Sequence, residues 1–416
     1  MKILVIGSGG REHCICWKIK QNKNVRLFAL PGNGGISEIA ECIKGDIEDF
    51  SDAFNIIKNK GIDFVVVGPE NPLVYGIVDF LKEKNIKAFG PIKKGAILEG
   101  SKCYAKEFMG KYNIPTANFQ IAESYESAIK IIEKKEVPYV IKYDGLAAGK
   151  GVRVIESFEE GEKYLKEIFI DNIFKSNEKK IIIEDCLIGK ELSYLIFTDT
   201  ISYIPMVPAK DYKRVFDGDK GQNTGGMGSY SPPLFFNEEL DNKIKNEIVE
   251  RTIYGLRKEN IDYRGVLYFG LMITEKGPYV LEYNVRFGDP ETQVILPRME
   301  TDIIDVMTAV CEGELKKIDI KWSNKKSVCL ILSSGGYPGG YETGKEIKNL
   351  EKVEKNVLIF HSGTKKENGK FYTNGGRVLG ITALNSTIEK ARENVYKSAS
   401  TIDFEGKHYR KDIALF

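Results

Sequence analysis

The chain has 416 residues and a mass of 46.8 kDa, and 42% of its residues are hydrophobic. That length exceeds what one hydrophobic core usually supports, so we expect two or three packed units rather than one small domain. The 61 Lys and Arg residues nearly balance the 59 Asp and Glu residues, and the net charge of +2 excludes the strong basic field of a nucleic-acid-binding protein.

Apolar runs, cysteines and histidines exclude further classes of protein. Apolar runs such as 64–67 are far shorter than the about 20 residues that span a bilayer, so we expect no membrane partner. The seven cysteines are never spaced as a CxxC pair, which indicates neither a disulfide framework nor a zinc site. Three histidines are too few for a histidine-rich metal centre. We therefore expect a cytoplasmic protein, and we expect it to be a monomer.

Three β-branched runs near the start of the chain predict strands, and they alternate with segments of helical periodicity such as 52–60. Strands that alternate with helices indicate an α/β fold with an open parallel sheet. The runs are Lys2–Ile6, Val25–Leu30 and Asp63–Val67. Clusters rich in glycine and proline follow them at 7–10, 31–35 and 68–72. Loops at the carboxyl ends of parallel strands line the ligand crevice, so a site is expected there.

The first glycine cluster, Gly7-Ser8-Gly9-Gly10, admits three interpretations. Glycines between a strand and a helix let the backbone approach a pyrophosphate, as in nicotinamide-dinucleotide sites. However, Glu12 stands where the GxGxxG pattern requires its last glycine, so we favour a smaller phosphate-bearing ligand. A tight turn without any ligand is the third interpretation.

Turns divide the chain into three predicted units. The turn Phe89-Gly90-Pro91 closes the first unit, and Lys102–Tyr112 is predicted to be a helix at the start of the second. After 322–326 the glycine pattern resumes with the apolar strand 328–332. The expected units are 1–101, 102–325 and 326–416.

A second glycine-rich segment, 144–151, follows the apolar strand Tyr139–Tyr143. It is not a Walker A loop, because Asp144 displaces the first glycine and Gly151 stands where Ser or Thr must follow the lysine. A flexible lid fits better, with backbone amides around phosphate oxygens and Lys142 as a compact cation. A surface hairpin without a ligand is the alternative.

Two polar segments of the second unit carry weaker signals. Glu184 and Glu191 bracket a short connection between apolar strands. The polar loop 209–233 carries charges and glycines that suit a substrate-binding lid, and a flexible insertion explains its composition equally well.

The segment 277–292 is the most informative. Because strand side chains alternate, we expect Glu282, Asn284 and Arg286 on one face. The opposite face should then carry Leu281, Tyr283 and Val285. Two hard oxygen donors suit Mg²⁺, and Arg286 would stabilise charge on a transferring phosphoryl group. A solvated face with a salt bridge is the structural alternative.

These motifs occur in the order that is typical of one known family. The sequence resembles the glycinamide ribonucleotide synthetases, which are ATP-grasp ligases, almost from end to end. The glycine-rich segment and the predicted metal strand alone would also fit sister ATP-grasp ligases. The motifs that carry the resemblance are 7–13, 31–33, 68–70, 99–102, 142–151, 223–228 and 282–292.

The resemblance implies a fold and a reaction. The fold would have an N-terminal substrate-binding domain at 1–101, an ATP-grasp domain at 102–325 with a lid subdomain at about 117–187, and a mixed α/β domain at 326–416. ATP would phosphorylate the carboxylate of glycine to glycyl phosphate, and the amine of 5-phosphoribosylamine would displace phosphate to give glycinamide ribonucleotide for purine synthesis. Such chemistry requires no Ser, Cys or His nucleophile. Another ATP-grasp carboxylate–amine ligase is the main alternative, and a nicotinamide oxidoreductase is the less favoured one.

The resemblance also implies roles for individual residues. Glu282 and Asn284 would hold Mg²⁺, with Mn²⁺ as a second suitable ion, and Arg286 would be the catalytic residue. Contacts to ATP would come from Lys102, Lys142, Gly149, Lys150 and Gly151, with Glu184 and Glu191 at the adenine and ribose. Contacts to glycine and phosphoribosylamine would come from Gly9, Gly34, Asp211, Asn223, Thr224 and Gly225.

Overall fold

The computed structural model describes residues 1–146, 151–175 and 179–416. Within these residues no helix combines the length and the apolar character needed to cross a bilayer. The first hundred residues form, in chain order, β1 (Lys2–Gly7), α1 (Gly10–Ile19), β2 (Arg26–Pro31), β3 (Glu41–Cys42), α2 (Phe50–Lys60), β4 (Phe64–Val67), α3 (Glu70–Tyr75), α4 (Ile77–Glu83), β5 (Lys87–Phe89) and α5 (Lys93–Gly100).

The N-terminal strands form a parallel sheet in the order β3-β2-β1-β4-β5. Alternate residues of β1 enter two hydrophobic cores, with Leu4 and Ile6 on one face and Ile3 and Val5 on the other. Burial on both faces explains why these strands are continuous apolar runs. The predicted α/β class with an open N-terminal parallel sheet is confirmed. The carboxyl ends of β1, β2 and β4 lie at one edge of this sheet.

The central part of the chain forms two antiparallel sheets, β6-β9-β7-β8 and β11-β10-β16-β17. Helices α7 and α8 pack their apolar residues on the first of these sheets. A π-helical turn at Lys245–Val249 joins α9 to α10. The elements are α6 (Lys102–Lys111), β6 (Phe119–Ala122), α7 (Tyr125–Ile132), β7 (Tyr139–Tyr143), β8 (Val152–Ile155), α8 (Phe158–Phe169), β9 (Ile181–Asp185), β10 (Lys190–Thr198), β11 (Tyr203–Pro205), β12 (Lys210–Asp211), β13 (Arg214–Phe216), β14 (Lys220–Asn223), β15 (Gly228–Ser231), α9 (Glu238–Ile244), α10 (Glu250–Lys258), β16 (Gly265–Thr274), β17 (Gly277–Asn284), α11 (Thr292–Ile295) and α12 (Ile303–Glu312).

The C-terminal part forms the core of a five-stranded sheet in the order β12-β15-β18-β23-β20, together with a small sheet β19-β22-β21. Helix α13 packs on the larger sheet through apolar residues such as Ala391 and Val395. The elements are β18 (Lys326–Ser333), β19 (Glu346–Ile347), β20 (Val357–His361), β21 (Thr364–Glu367), β22 (Lys370–Thr373), β23 (Arg377–Asn385) and α13 (Ile388–Thr401).

The segment 209–233, which its composition predicted to be a loop, is partly strand. Its two ends supply β12 and β15 to the C-terminal sheet, and β13 and β14 form a hairpin between them. Ser229 and Ser231 are fully buried, and their hydroxyls donate to the carbonyls of Pro290 and Pro208 at 2.8 Å and 2.6 Å. Polar composition therefore did not mean exposure, because backbone carbonyls satisfy the buried hydroxyls.

A β-bulge interrupts the alternation of side chains along β17. Gly270 lies opposite Glu282, whereas Leu271 lies opposite Val280, so Leu281 is an extra residue in the strand. Val280 is fully buried in the core, and Leu281 lines the large cavity between the sheets. The prediction that Leu281 lies on the face opposite Glu282 is therefore wrong, because the period of two does not continue through a bulge.

A buried histidine pair joins α1 to the C-terminal sheet. His13 Nδ1 accepts a hydrogen bond of 2.8 Å from the backbone N–H of His361. The second ring is fixed by a contact of 3.0 Å between His361 Nδ1 and Thr364 Oγ1. Burial lowers the pKa of His13 to about 3 and that of His361 to about 4, so both rings are neutral near neutral pH.

We expect the protein to lose stability as the pH falls below the ordinary histidine pKa of 6.5. The unfolded chain takes up protons there while the folded rings do not, so acid favours the unfolded state. Each histidine should lower the free energy of unfolding by about 2 kcal/mol between about pH 7 and about pH 5. Urea unfolding across this range should show a smaller pH dependence for His13→Asn, whose amide oxygen accepts the same hydrogen bond without titrating. An unchanged pH dependence in that variant would contradict the prediction.

Candidate active site

A cavity of about 930 Å³ lies between the parallel sheet, the two antiparallel sheets and the C-terminal loops. Its walls include Glu70 after β4, Lys102 at the start of α6, Lys142 in β7, Glu282 in β17 and Arg377 at the start of β23. Charged groups from all parts of the chain therefore meet in one space, although they lie up to about three hundred residues apart in the sequence.

Most of the residues predicted for the site line this cavity. Gly149 and Lys150, two of the predicted ATP contacts, lie outside the described residues. The predicted residues that line the cavity are Lys102, Lys142, Gly151, Asp211, Asn223, Thr224, Gly225, Glu282, Asn284 and Arg286.

Two predicted substrate contacts, Gly9 and Gly34, are not brought to the cavity wall. The backbone N–H of Gly9 donates to Glu12 Oε2 at 2.7 Å, and that of Gly34 donates to the carbonyl of Thr364 at 3.0 Å. Amides that already donate are not free to bind a phosphate. Glu12 also occupies the turn that a dinucleotide pyrophosphate would need, which disfavours the nicotinamide alternative.

The two glutamates predicted at adenine and ribose are not part of the cavity wall: Glu184 is buried behind it, and Glu191 is partly exposed. Glu184 is 2% exposed, and its Oε1 lies 2.5 Å from Lys142 Nζ while its Oε2 contacts Lys106. Glu191 lies 3.4 Å from the Nζ of Lys213. In this structure, lysines are therefore the partners of both carboxylates.

The predicted metal ligands point into the cavity side by side. Burial would raise the pKa of Glu282, but Lys213 and other nearby cations outweigh it and lower the pKa, so the carboxylate is ionised. Asn284 Oδ1 accepts a hydrogen bond of 3.1 Å from Arg286 Nη2. Within the described ranges, no group of three or more His, Cys, Asp and Glu side chains is placed to hold a metal. Glu282 and Asn284 would thus supply only part of the ligand set of a metal ion.

Two carboxylates hold the guanidinium of Arg286. Its Nε donates to Glu70 Oε2 at 3.2 Å, and its Nη2 donates to Glu99 Oε1 at 2.8 Å. Burial raises the pKa of Glu99, whereas for Glu70 the charges of Arg286 and Arg11 overcome burial and lower the pKa to about 2. The arginine therefore has a fixed orientation towards the cavity beside Asn284.

Three lysines from α6 and β7 approach the cavity. Lys102 Nζ donates to the carbonyl of Gly145 at 2.8 Å, at the base of the glycine-rich segment. Burial lowers the pKa of Lys102, and burial lowers that of Lys106 to about 8. Sequence reasoning missed Lys106, although its spacing of four residues from Lys102 places both on one face of a helix.

A second charged cluster lies around β12. Burial raises the pKa of Asp211 to about 8 even though Lys213 opposes the shift. Glu191 in turn raises the pKa of Lys213 well above its ordinary value. Lys213 therefore carries its charge between Glu191 and Glu282, from which its Nζ lies 3.4 Å and 3.8 Å.

The C-terminal sheet contributes cavity residues that sequence reasoning did not find. Arg377 Nη2 lies 3.0 Å from Asp289 Oδ2, and its Nη1 donates to the carbonyl of Gly225 at 2.5 Å. The N–H of Gly225 donates to Tyr337 Oη at 2.9 Å. Arg377 follows the pair Gly375-Gly376, and nothing in the neighbouring sequence indicates a contact with the distant residue Gly225.

Three family models together match nearly the whole chain. They are described as phosphoribosylglycinamide synthetase N domain at residues 1–99, ATP-grasp (A) domain at 100–292 and C domain at 327–415. Similar curated proteins include a phosphoribosylamine–glycine ligase of Caldanaerobacter subterraneus subsp. tengcongensis, 45% identical over 100% of this chain and 99% of that protein. A phosphoribosylamine–glycine ligase of Clostridium acetobutylicum is also 45% identical, over 99% of both chains.

Solved structures of similar proteins include a member of the same family and a more distant protein with a similar fold. A crystal structure of phosphoribosylamine–glycine ligase from Thermotoga maritima is 38% identical, covers 100% of both chains and superposes with a TM-score of 0.87. A biotin carboxylase from Campylobacter jejuni has a TM-score of 0.75 at 15% identity and covers 98% of this chain and 92% of its own. The latter likeness concerns the fold alone.

Proposed function

This chain belongs to the phosphoribosylglycinamide synthetase family, and from that premise we infer how its cavity carries out the reaction. The protein is an ATP-dependent carbon–nitrogen ligase that joins glycine to phosphoribosylamine in purine biosynthesis. The observation that carries this conclusion is the convergence of Glu282, Asn284 and Arg286 with Lys102 and Lys142 on one cavity.

The reaction proceeds in two steps. A carboxylate oxygen of glycine attacks the γ-phosphorus of ATP, which releases ADP and forms glycyl phosphate. The amine nitrogen of 5-phosphoribosylamine then attacks the carbonyl carbon, phosphate leaves, and the nitrogen loses a proton to give the amide of glycinamide ribonucleotide. Both steps depend on positioning and on neutralisation of negative charge, which the cationic and amide groups of the cavity supply.

The triphosphate of ATP occupies the end of the cavity near α6 and β7. Lys102 and Lys142 neutralise its oxygens, and Gly151 lines the same cavity. Lys102 Nζ donates to the carbonyl of Gly145, and a phosphate oxygen of ATP would be an alternative acceptor for the same ammonium. Glu191, which is partly exposed and pairs with the cavity residue Lys213, would accept hydrogen bonds from the ribose.

Glu282 and Asn284 fit a divalent cation. One ionised carboxylate and one amide oxygen are the few hard protein ligands that Mg²⁺ takes when nucleotide phosphates and water complete its octahedron, and Mn²⁺ accepts the same set. The bound ion would polarise the phosphoryl oxygens and offset their charge. The lowered pKa of Glu282 supports this assignment, because the ligand is ionised before the ion arrives.

Arg286 acts as the catalytic residue at the transferring phosphoryl group. Its guanidinium is oriented by Glu70 and Glu99 before substrate binds, so no reorganisation is needed when charge develops on the equatorial oxygens. Asp211 and the loop Asn223–Gly225 face the other end of the cavity and contact glycine and phosphoribosylamine.

An assay of ADP release tests this function. ADP should appear only when the protein is given ATP, Mg²⁺, glycine and phosphoribosylamine together, because the acyl phosphate is consumed only by the amine. Replacement of glycine by bicarbonate or formate should abolish ADP release and so separates this ligase from other ATP-grasp carboxylate–amine ligases. Absence of ADP with the full mixture would contradict the proposal.

The protein works in the cytoplasm and as a monomer. Its seven cysteines are free, and Cys14, Cys16 and Cys329 are buried, which supports a reducing compartment. Light scattering on the purified protein tests the monomer.

A further inference from the structure

Three buried charges meet at the cavity wall between α6, β7 and β9: Lys106 and Lys142 line the cavity, and Glu184 lies behind them. Glu184 Oε1 is 2.5 Å from Lys142 Nζ, and Glu184 Oε2 forms an ion pair with Lys106 that lacks hydrogen-bond geometry. The side chains of Glu184 and Lys106 are each 2% exposed, and that of Lys142 is 8% exposed. Two lysines against one carboxylate leave an excess of positive charge in a dry site, which is costly unless an anion is close.

Both ends of this charged cluster are tied to the bulge in β17. Lys142 Nζ donates to the carbonyl of Leu281 at 2.9 Å. At the other end, Lys106 Nζ donates to Thr116 Oγ1 at 2.6 Å, and Thr116 Oγ1 donates to the carbonyl of Val280 at 2.7 Å. The contacts therefore close into a ring that begins and ends at consecutive carbonyls of one strand.

The position of the ring gives it a mechanical role. Lys142 and Glu184 belong to the sheet β6-β9-β7-β8, whereas Leu281 belongs to the sheet β11-β10-β16-β17 and directly precedes Glu282. The ring thus links the two central sheets at the point where a phosphate-binding lysine and a metal-binding glutamate must keep a fixed separation. A lysine side chain has a long flexible stem, so its ammonium stays in place only if other groups hold it.

We propose that Glu184 and Lys106 are positioning residues that hold Lys142 at the nucleotide phosphates, and that the Glu184 carboxylate does not contact the nucleotide. This inference rests on the ATP site of the proposed function. It replaces the adenine or ribose contact that family resemblance implies for Glu184. The reason is geometric: both of its oxygens face lysines, and it is not part of the cavity wall.

Binding of ADP and of adenosine to Glu184→Gln tests the inference, because the two ligands share the nucleoside and differ only in phosphate. Measured by calorimetry with a metal chelator present, ADP affinity should fall about tenfold, since a lysine that loses its ionised partner is held less firmly. Adenosine affinity should stay unchanged. Glu167→Gln is the matched control: this glutamate on α8 pairs with Arg153 at 3.0 Å outside the ring and should alter neither affinity.

The possible binding results distinguish a positioning role of Glu184 from a direct contact with the nucleoside. Equal weakening of ADP and adenosine would mean that Glu184 contacts the nucleoside, and unchanged binding of both would mean that the ring positions nothing; either result overturns the inference. A wild-type protein that binds ADP no more tightly than adenosine would overturn the proposed ATP site as well.

A second variant covers the case in which Glu184→Gln does not fold. Thr116→Val keeps the volume of the side chain and removes only the hydroxyl that connects Lys106 to Val280. ADP affinity should then fall by about threefold, the equivalent of one net hydrogen bond, with adenosine affinity unchanged. Unaltered ADP binding in this variant would overturn the inference on its own.

Discussion

Glu282→Ala should lower turnover by at least about a thousandfold at ordinary Mg²⁺ concentrations, because the proposed metal site loses its carboxylate ligand and the phosphoryl oxygens then lose the charge of the ion. The fold should survive, since the carboxylate contributes to no core and its nearest cation, Lys213, keeps Glu191 at 3.4 Å as a partner. Turnover as a function of Mg²⁺ concentration and the thermal midpoint measure the two parts of this prediction.

A matched control uses the same strand pair. Glu275 lies in the exposed turn between β16 and β17, and Glu275→Ala should leave both turnover and metal dependence unchanged. Full activity of Glu282→Ala would contradict the metal assignment. A large fall in its thermal midpoint would also contradict the assignment, because unfolding would then explain the loss of turnover.

Arg286→Lys should lower kcat by about a hundredfold to a thousandfold with little change in the KM for ATP. A lysine keeps the positive charge. Unlike a planar guanidinium, however, its ammonium group cannot contact Glu70, Glu99 and the transferring phosphoryl group simultaneously. The substitution therefore weakens stabilisation of the transition state rather than binding of ATP. Steady-state assays test this by comparing the change in kcat with the change in the KM for ATP.

Arg286→Met separates charge from geometry. It leaves Glu99 buried without its cation, so unfolding free energy should fall by about 3–5 kcal/mol in addition to the loss of activity. Arg264→Lys is the control, because Arg264 pairs with Asp262 at 2.9 Å near the surface and away from the cavity. Normal kcat in Arg286→Lys would show that only a charge is needed there, against the orienting role of Glu70 and Glu99.

Some features of the site could be predicted because their signals are local. The glycine turns and the run Phe64–Val67 are recognisable from neighbouring residues, and so are the acid and amide of β17 and the guanidinium of Arg286, which follows the end of that strand. The strand period also predicted correctly that Glu282 and Asn284 face the same way, since both lie after the bulge. The same period failed for Leu281, because a bulge depends on the partner strand and leaves no reliable trace in its own sequence.

Other features could not be predicted because the partners lie far apart in the chain. Gly34 looked like a phosphate-binding glycine, but its amide meets a carbonyl of the C-terminal sheet. Arg377 reaches Gly225 across 152 positions of sequence. The polar segment 209–233 reads as a loop until β18 is present to pair with β15.

The sequence by itself determined the α/β class, the strands and turns of the N-terminal sheet and the identity of the groups on β17, because hydrophobic period and turn chemistry act between neighbouring residues. Only the tertiary structure decided which of these groups share a cavity, which amides are already bonded and which charges are buried against one another. Those properties arise from contacts between distant segments, and burial, which sets both the pKa of Asp211 and the pairing of Glu184, exists only once the sheets have packed.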